Sequence, residues 1–334
     1  MRGMLHLAHF DQTVADLLAD QLEQVAVVFE RQLASDLSAI NGLCVHIERY
    51  RGKMLRPTLV LLTGLAGTDE PYEGHSLNER HRVVAAVAEM IHMATLVHDD
   101  VLDEADVRRQ GATVNHLWGN ETAVMLGDYL ISNAFHLCSS LADPAVNLAL
   151  GQVTNTLCEG ELVQLHHRND YGIDEATYFE IVRRKTASLI GECCRQGALL
   201  SGASPEHAES LYRYGIALGI AFQIQDDLLD LIGDEDIVGK SLGRDLEKGK
   251  LTLPVTHHMT HCEPAERGES LRLLRSRNAV ALRARLHESG SVTYARDTAR
   301  RYVESARSEL DSWPDSRAIQ MLRRMADSVI DRAY

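Results

Sequence analysis

Apolar residues recur at three- and four-residue spacing along almost the whole chain, the period of helices that bury one face. The stretch QTVADLLADQLEQVAVVFERQLA predicts a helix over about residues 12–34. RPTLVLLTGLAG predicts a second, with Pro57 early, where a missing N–H costs little, and Gly67 as its stop. NERHRVVAAVAEMIHMATLVHDDVLDEA reads as one long helix. ETAVMLGDYLISNAFHLCSSL, PAVNLALGQVTNTLCEGELVQLHH, DEATYFEIVRRKTASLIGECCRQGALLSG and EHAESLYRYGIALGIAFQIQDDLLDLIG continue the pattern. The tail from Ala281 to Tyr334 is helical and more charged. No alternating run is long enough to predict a strand. The nearest thing to a break is GDEDIVGKSLGRDLEKGK (Gly233 to Lys250), a charged loop that leads into a helix start at LTLPV. The expectation is a single all-α domain over residues 1–334, built on a large central bundle.

Composition agrees with that expectation. The 334 residues suffice for a sizeable core, and 7 prolines with 5% aromatics tilt the balance toward helix. Six scattered cysteines form no CxxC pair, so zinc and thioredoxin-like readings are weak. A disulfide framework is not expected in a chain of this length, which predicts a reducing, cytoplasmic setting. No apolar run reaches the ~20 residues that span a bilayer. The N-terminus carries Asp11 and Asp16 and lacks the clean apolar centre of a signal peptide. A net charge of −14 opposes nonspecific nucleic-acid binding. It does not oppose an anionic substrate, because bound metal ions invert the local sign.

The charged chemistry is concentrated. In LVHDDVLDEADVRRQ, Asp99 and Asp103 are four apart and share a helix face, and Asp106, seven from Asp99, is expected near the same stripe. Stacked carboxylates repel by a few tenths of a kcal/mol per exposed pair, a cost that Mg²⁺ between them removes. Alone, such a cluster is more often a solvated helix end. FQIQDDLLDLIGD repeats the spacing, with Asp226, Asp227 and Asp230 at the end of another apolar helix. Two copies of D-D-x-x-D are hard to reach by chance. If their helices face each other, the carboxylates form a polynuclear Mg²⁺ site with room for a diphosphate. Asp100 and Asp227 are expected to point partly away, since adjacent helix positions diverge by ~100°.

Both clusters resemble the two aspartate-rich motifs of the trans-isoprenyl diphosphate synthases, the head-to-tail prenyltransferases. HDDVLDEADVRR resembles the first motif with its two trailing arginines, and FQIQDDLLD the second. RGKMLRP (Arg51 to Pro57) resembles the family's GGKxxRP, and GKSLGRDLEKGKLTLP its GKxxGxDxxxGKxTLP; CEGELVQL and RRKTASLIG also fit. The resemblance runs from about residue 51 to 254 and keeps order and spacing. It implies an isoprenoid-synthase type all-α bundle around a deep central cavity, usually a homodimer. The reaction it implies joins isopentenyl diphosphate to an allylic diphosphate of C10 to C20. Released pyrophosphate would take the proton, so no separate base is needed.

Roles follow from the same resemblance. Asp99, Asp100, Asp103, Asp226, Asp227 and Asp230 would hold Mg²⁺ against the allylic diphosphate, with Asp99, Asp103 and Asp226 as direct ligands. The resemblance implies three ions, with Mn²⁺ as a substitute. Arg108, Lys185 and Lys240 would face the allylic diphosphate, with Lys250 a further candidate on the phosphate side. Lys53, Arg56, His92 and Arg109 would seat isopentenyl diphosphate without metal. Thr186 and Gln223 would line the cavity beside the allylic chain. Singly, each basic residue is more often a solvated side chain, and His92 a packed one. His92 is seven before Asp99, on the carboxylate stripe, which favours the cavity.

Two departures stand out: Arg51 replaces the first glycine of GGKxxRP, and Gln110 precedes Gly111 where the family has glycine after the arginines. Small loop adjustments are expected there. Ala94 and Thr95, one turn below Asp99, are small where short-chain members typically carry an aromatic. They predict an open tunnel and a product beyond C15, with Ile91 and Val87 further down the same helix. Alternatives are a short-chain farnesyl or geranylgeranyl synthase, a terpene cyclase, a non-catalytic synthase subunit, and a metal-binding helical protein without chemistry. QDDLLD and RGKMLRP oppose a cyclase, two intact clusters oppose the subunit, and the phosphate-side cations oppose the last.

Overall fold

The computed structural model describes residues 12–68, 70–72, 76–109, 111–233 and 243–331. Lys240 and Gln110 lie outside the described residues. The helices are α1 (Gln12–Leu33), α2 (Ser38–Ile47), α3 (Leu55–Ala66), α4 (Glu79–Leu102), α5 (Val114–Trp118), α6 (Asn120–Ser139), α7 (Pro144–His166), α8 (Glu175–Val182), α9 (Ser188–Leu200) and α10 (Pro205–Ile232). They continue as α11 (Arg244–Glu247), α12 (Leu253–His261), α13 (Pro264–Arg275), α14 (Ala279–Glu288), α15 (Ser291–Ser308) and α16 (Arg317–Ile330). The fold is all-α, as the periodicity predicts.

The chain divides into two compact units. One comprises Met1–Thr154, Glu192–Tyr212 and Ser312–Leu322; the other comprises Asn155–Gly191, Arg213–Asp311 and Arg323–Tyr334.

In the first unit, α4 packs on α6, α3 and α1. Val83 to Ala88 are all buried, so this helix is apolar on every side at its middle, as a central helix must be. Its start is a reciprocal cap. The Asn78 side chain accepts from the Arg80 and His81 backbone N–H, and His81 Nδ1 accepts from the Asn78 N–H at 3.3 Å. The same imidazole donates from Nε2 to Ser201 Oγ at 3.0 Å, an assignment that follows from the acceptor role of Nδ1. His81 is buried, and desolvation lowers its pKa to about 4.

In the second unit, Ile220, Ile224 and Leu228 share a core with Tyr178, Val182, Leu253 and Leu286. Arg183–Ala187 form a π-turn between α8 and α9. One extra residue per turn there alters the direction of the side chains it carries, and such turns gather at functional positions. Its close neighbour is Gly160 of α7. A Cβ at that position would stand 2.7 Å from the Lys185 backbone N and 2.8 Å from Arg184 Cβ. Only glycine lets the two backbones approach this closely.

The structure corrects two expectations. α4 ends at Leu102, and Asp103 is its C-cap, donating its N–H to the Asp99 carbonyl at 2.8 Å. Asp106 is therefore off the helix and does not continue the Asp99 stripe; it accepts from His116 Nδ1 at 2.9 Å instead. The chain also forms a two-residue antiparallel pair, Val107–Arg108 with Gly111–Ala112. Two residues are too few to carry a strand period, so the pattern could not announce it. The reversal after it puts Arg109 at φ +49°, the region that tight hairpin turns demand.

Candidate functional site

In the first unit the last turn of α4 carries the first cluster. Asp99 and Asp103 are half-buried, whereas Asp100 turns inward and is 1% exposed. Arg108 Nε donates to Asp100 Oδ1 at 2.8 Å. Asp100 Oδ2 is buried and accepts no hydrogen bond among the described residues. Burial pushes the Asp100 carboxyl up, against the pull of Arg108. Asn115 donates to the carbonyls of Asp100 and Ala105, which fixes the bend after the helix.

The basic seat is built from three segments. Arg56 lies in the first turn of α3, which starts from Met54 at φ +51°. His92 lies on α4. Arg109 leaves the hairpin and donates from Nη1 to the Tyr50 carbonyl. The guanidinium lies against Gly52, where an added Cβ would stand 2.7 Å from Arg109 Cζ and displace it. Lys53 is exposed. Arg56 and Arg109 are desolvated, which lowers both. His92 is held well below its ordinary range by burial, then by Arg56, Arg109 and Arg108. It is therefore neutral near pH 7 and offers a neutral donor rather than a third charge. Arg51, at the departure from GGKxxRP, turns to α1 instead: its Nη1 meets Glu30 Oε1 at 3.0 Å and its guanidinium lies 4.2 Å from the Phe29 ring centre.

In the second unit a hydrogen-bonded chain backs the second cluster. Thr186 Oγ1 donates to Gln223 Oε1 at 2.9 Å, and Gln223 Nε2 donates to Asp227 Oδ1 at 2.8 Å. The Tyr178 hydroxyl donates to Asp227 Oδ2 at 2.7 Å. Both Asp227 oxygens are thus engaged, and burial raises the carboxyl well above its ordinary range. Asp230 is used locally: its carboxylate accepts the Arg244 and Asp245 backbone N–H at 3.3 and 3.1 Å, capping α11. Asp226 is half-buried. On the π-turn, Lys185 pairs with Glu161 and donates to Gln164 Oε1 at 3.0 Å; both partners come from α7. Lys250 is half-buried, and its N–H donates to the Asp245 carbonyl at 2.8 Å.

Ala94 is buried and Thr95 half-buried, with Thr95 Oγ1 donating to the His92 carbonyl at 2.7 Å. Sequence reasoning missed Tyr178, the hydroxyl on Asp227, and Glu89, a buried acid on α4 beside the basic seat. Glu89 carried a faint signal, a lone acid inside the apolar run VVAAVAEMIHM. Tyr178 carried none.

The donor set suits a hard divalent cation: carboxylate oxygens, one of them buried and without a partner at Asp100. Among the described residues, no three His, Cys, Asp or Glu side chains converge on one point. Mg²⁺ does not need such a cage, since it is typically held by one or two carboxylates with substrate phosphate and water. Among the described residues, no helix is long and apolar enough to cross a membrane.

Comparisons with known proteins agree with this chemistry. A family model described as polyprenyl synthetase matches residues 38–286. The chain is 34% identical over 325 residues to octaprenyl diphosphate synthase of Escherichia coli (strain K12), covering 96% of this chain and 98% of that one. It is similar to the crystal structure of a decaprenyl diphosphate synthase from Rhodobacter capsulatus, with a TM-score of 0.87, 33% identity, and 96% and 98% of the two chains covered. It is also similar to a polyprenyl synthase from Caulobacter crescentus CB15 complexed with calcium and isoprenyl diphosphate, with a TM-score of 0.88, 30% identity, and 97% and 98% coverage. With two aspartate-rich helix ends, a separate basic seat and a family match over most of its length, the chain belongs to the polyprenyl synthetase family.

Proposed function

We propose that this protein is a trans-prenyltransferase that adds isopentenyl diphosphate head-to-tail to an allylic diphosphate and makes a polyprenyl diphosphate longer than C15. The observation that carries this reading is the coexistence of two kinds of diphosphate chemistry in one chain. Carboxylates stand at two helix ends, and a metal-free seat of Arg56, His92 and Arg109 stands apart from them in residue type. A cyclase needs only the first kind.

Asp99, Asp103 and Asp226 would hold Mg²⁺, three ions in all with Mn²⁺ as a substitute. Bound there, the metal neutralises the leaving diphosphate and so lowers the barrier to C–O ionisation. Asp100 steadies the first cluster through Arg108, and Asp227 steadies the second through Tyr178 and Gln223. Arg108 and Lys185 add positive charge on the allylic side, with Lys240 and Lys250 as further candidates. Lys53, Arg56, His92 and Arg109 orient the second diphosphate, where arginine's fork suits two phosphate oxygens at once. Thr186 and Gln223 lie beside the allylic chain, and Ala94 and Thr95 leave room for it to grow. The likeness to octaprenyl and decaprenyl synthases supports a long product, and the calcium and isoprenyl diphosphate named with the Caulobacter crescentus structure support a divalent ion. The working form is a homodimer acting on primers of C10 to C20.

The test is a product assay with Mg²⁺, labelled isopentenyl diphosphate and C10, C15 or C20 primers, sized by mass spectrometry. Products beyond C15 are expected. Products that stop at C15 would overturn the chain-length reading. Absence of condensation with every primer, while both diphosphates bind, would identify a non-catalytic subunit instead.

A further inference from the structure

The run CEGELVQL on α7 has no part in the chemistry described so far. Two of its acids meet two consecutive cations of the π-turn. Glu159 pairs with Arg184 and Glu161 pairs with Lys185. Gly160 stands between the two acids, at the close backbone approach. Gln164 lies three residues after Glu161, on the same side of the helix, and its Oε1 accepts from Lys185 Nζ at 3.0 Å. All of these residues lie in the second unit.

The two ion pairs differ. Glu159 is 58% exposed, and Arg184 has a second acid, donating from Nε to Glu180 Oε1 at 2.6 Å. An ion pair at such a surface contributes little. Lys185 and Glu161 are only 22% and 18% exposed, and Glu161 Oε2, the atom against the ammonium, is buried. Charges drawn out of water interact more strongly and are screened less by salt. A lysine ammonium sits on a flexible four-carbon stem and aims poorly by itself. Here two acceptors one turn apart on a single helix hold it in place, and Gly160 lets that helix come close enough to do so.

We propose that Glu161 is a positioning residue for the allylic diphosphate: with the Gln164 amide, its carboxylate aims the Lys185 ammonium at that substrate. This rests on the functional reading above, which puts Lys185 on the allylic side. Glu161 also offsets part of the lysine's charge, so aiming and competition predict opposite signs. Loss of aim raises the KM for the allylic diphosphate, whereas loss of a competitor lowers it. Aiming acts only through Lys185 and leaves isopentenyl diphosphate alone.

The experiment is a double-mutant cycle of Glu161→Gln and Lys185→Gln, with Glu159→Gln as the exposed control. KM and kcat are measured with Mg²⁺ for both substrates. The Kd of the allylic diphosphate, from calorimetry with Mg²⁺ alone, gives the same comparison when turnover is slow. Glu161→Gln should raise the KM and Kd for the allylic diphosphate about tenfold, the size of a one-unit pKa effect, and leave isopentenyl diphosphate within about twofold. In the Lys185→Gln background, Glu161→Gln should change allylic binding by less than about twofold, since the pair is then already broken. Glu159→Gln should leave every parameter within about twofold, as exposed pairs do. Glu161→Asp, which sets the charge back by one methylene, should show a smaller rise for the same substrate and carries the test if Glu161→Gln does not fold. Allylic binding that is unchanged or tighter, or effects that add fully across the cycle, would overturn the proposal. So would a loss of every parameter in step with melting temperature, the mark of a purely structural acid. If Lys185→Gln itself leaves allylic binding unchanged, or the wild-type protein condenses no substrate, the functional reading falls first and this inference with it.

Discussion

Gly160 and Gly151 lie on the same helix, and replacing each with alanine should give opposite results. Alanine in a helix interior is favoured over glycine by about 0.8–1.0 kcal/mol, and both positions gain this. At Gly151 the nearest atom to an added Cβ is Phe135 Cε1 at 4.0 Å, so nothing opposes the gain. At Gly160 the added Cβ stands 2.7 Å from the Lys185 backbone N and 2.8 Å from Arg184 Cβ. These are atoms of another helical segment and cannot rotate away, so α7 or the π-turn must shift. Overpacking of this kind costs about 1–3 kcal/mol. Gly151→Ala should therefore stabilise by up to about 1 kcal/mol, and Gly160→Ala should fall below it by about 1–3 kcal/mol. Because propensity cancels between the two, that difference isolates the steric contact. Urea unfolding followed by circular dichroism reads it directly. Gly160→Ala should also raise the KM for the allylic diphosphate, because the displaced segment carries Lys185. Equal stabilities of the two variants, within about 0.5 kcal/mol, would refute the close approach as the reason for glycine.

Three further outcomes follow from the same geometry. Tyr178→Phe removes the 2.7 Å hydrogen bond to buried Asp227 and should cost about 1.5–3 kcal/mol in urea unfolding; a change under about 0.5 kcal/mol would mean the hydroxyl is idle. His81 is neutral when folded down to about pH 4, while the unfolded chain takes up its proton near pH 6.5, so stability should fall by about 3 kcal/mol between those values. His81→Gln should flatten that part of the stability–pH curve, and an unchanged slope would remove His81 from the account. Thr95→Phe, one turn below Asp99, should shorten the product on mass spectrometry, whereas an unaltered product distribution would place the length limit on other helices.

The sequence by itself determined the class and the chemistry. A three- and four-residue apolar period states helix locally, because it only asks which side chains share a face. The two D-D-x-x-D groups and the runs RGKMLRP and VRR state diphosphate chemistry for the same reason, since each motif is complete within a few residues. What the tertiary structure decided lies beyond such windows. The stop of α4 at Leu102 takes Asp106 off the stripe, and the bend behind it is held by Asn115. Asp227 is saturated by Tyr178, far from it in sequence, and Asp230 is drawn into capping α11. The π-turn under Lys185 depends on a glycine in α7. Glu89 looks like a lone acid in an apolar run, and the fold buries it to 2% exposure. Periodicity reports which face a residue is on, but only packing brings distant residues together and removes water from between them. Charge strength, pKa and hydrogen-bond partners are set by that removal, so the exact division of labour among the carboxylates and cations appears only in the folded chain.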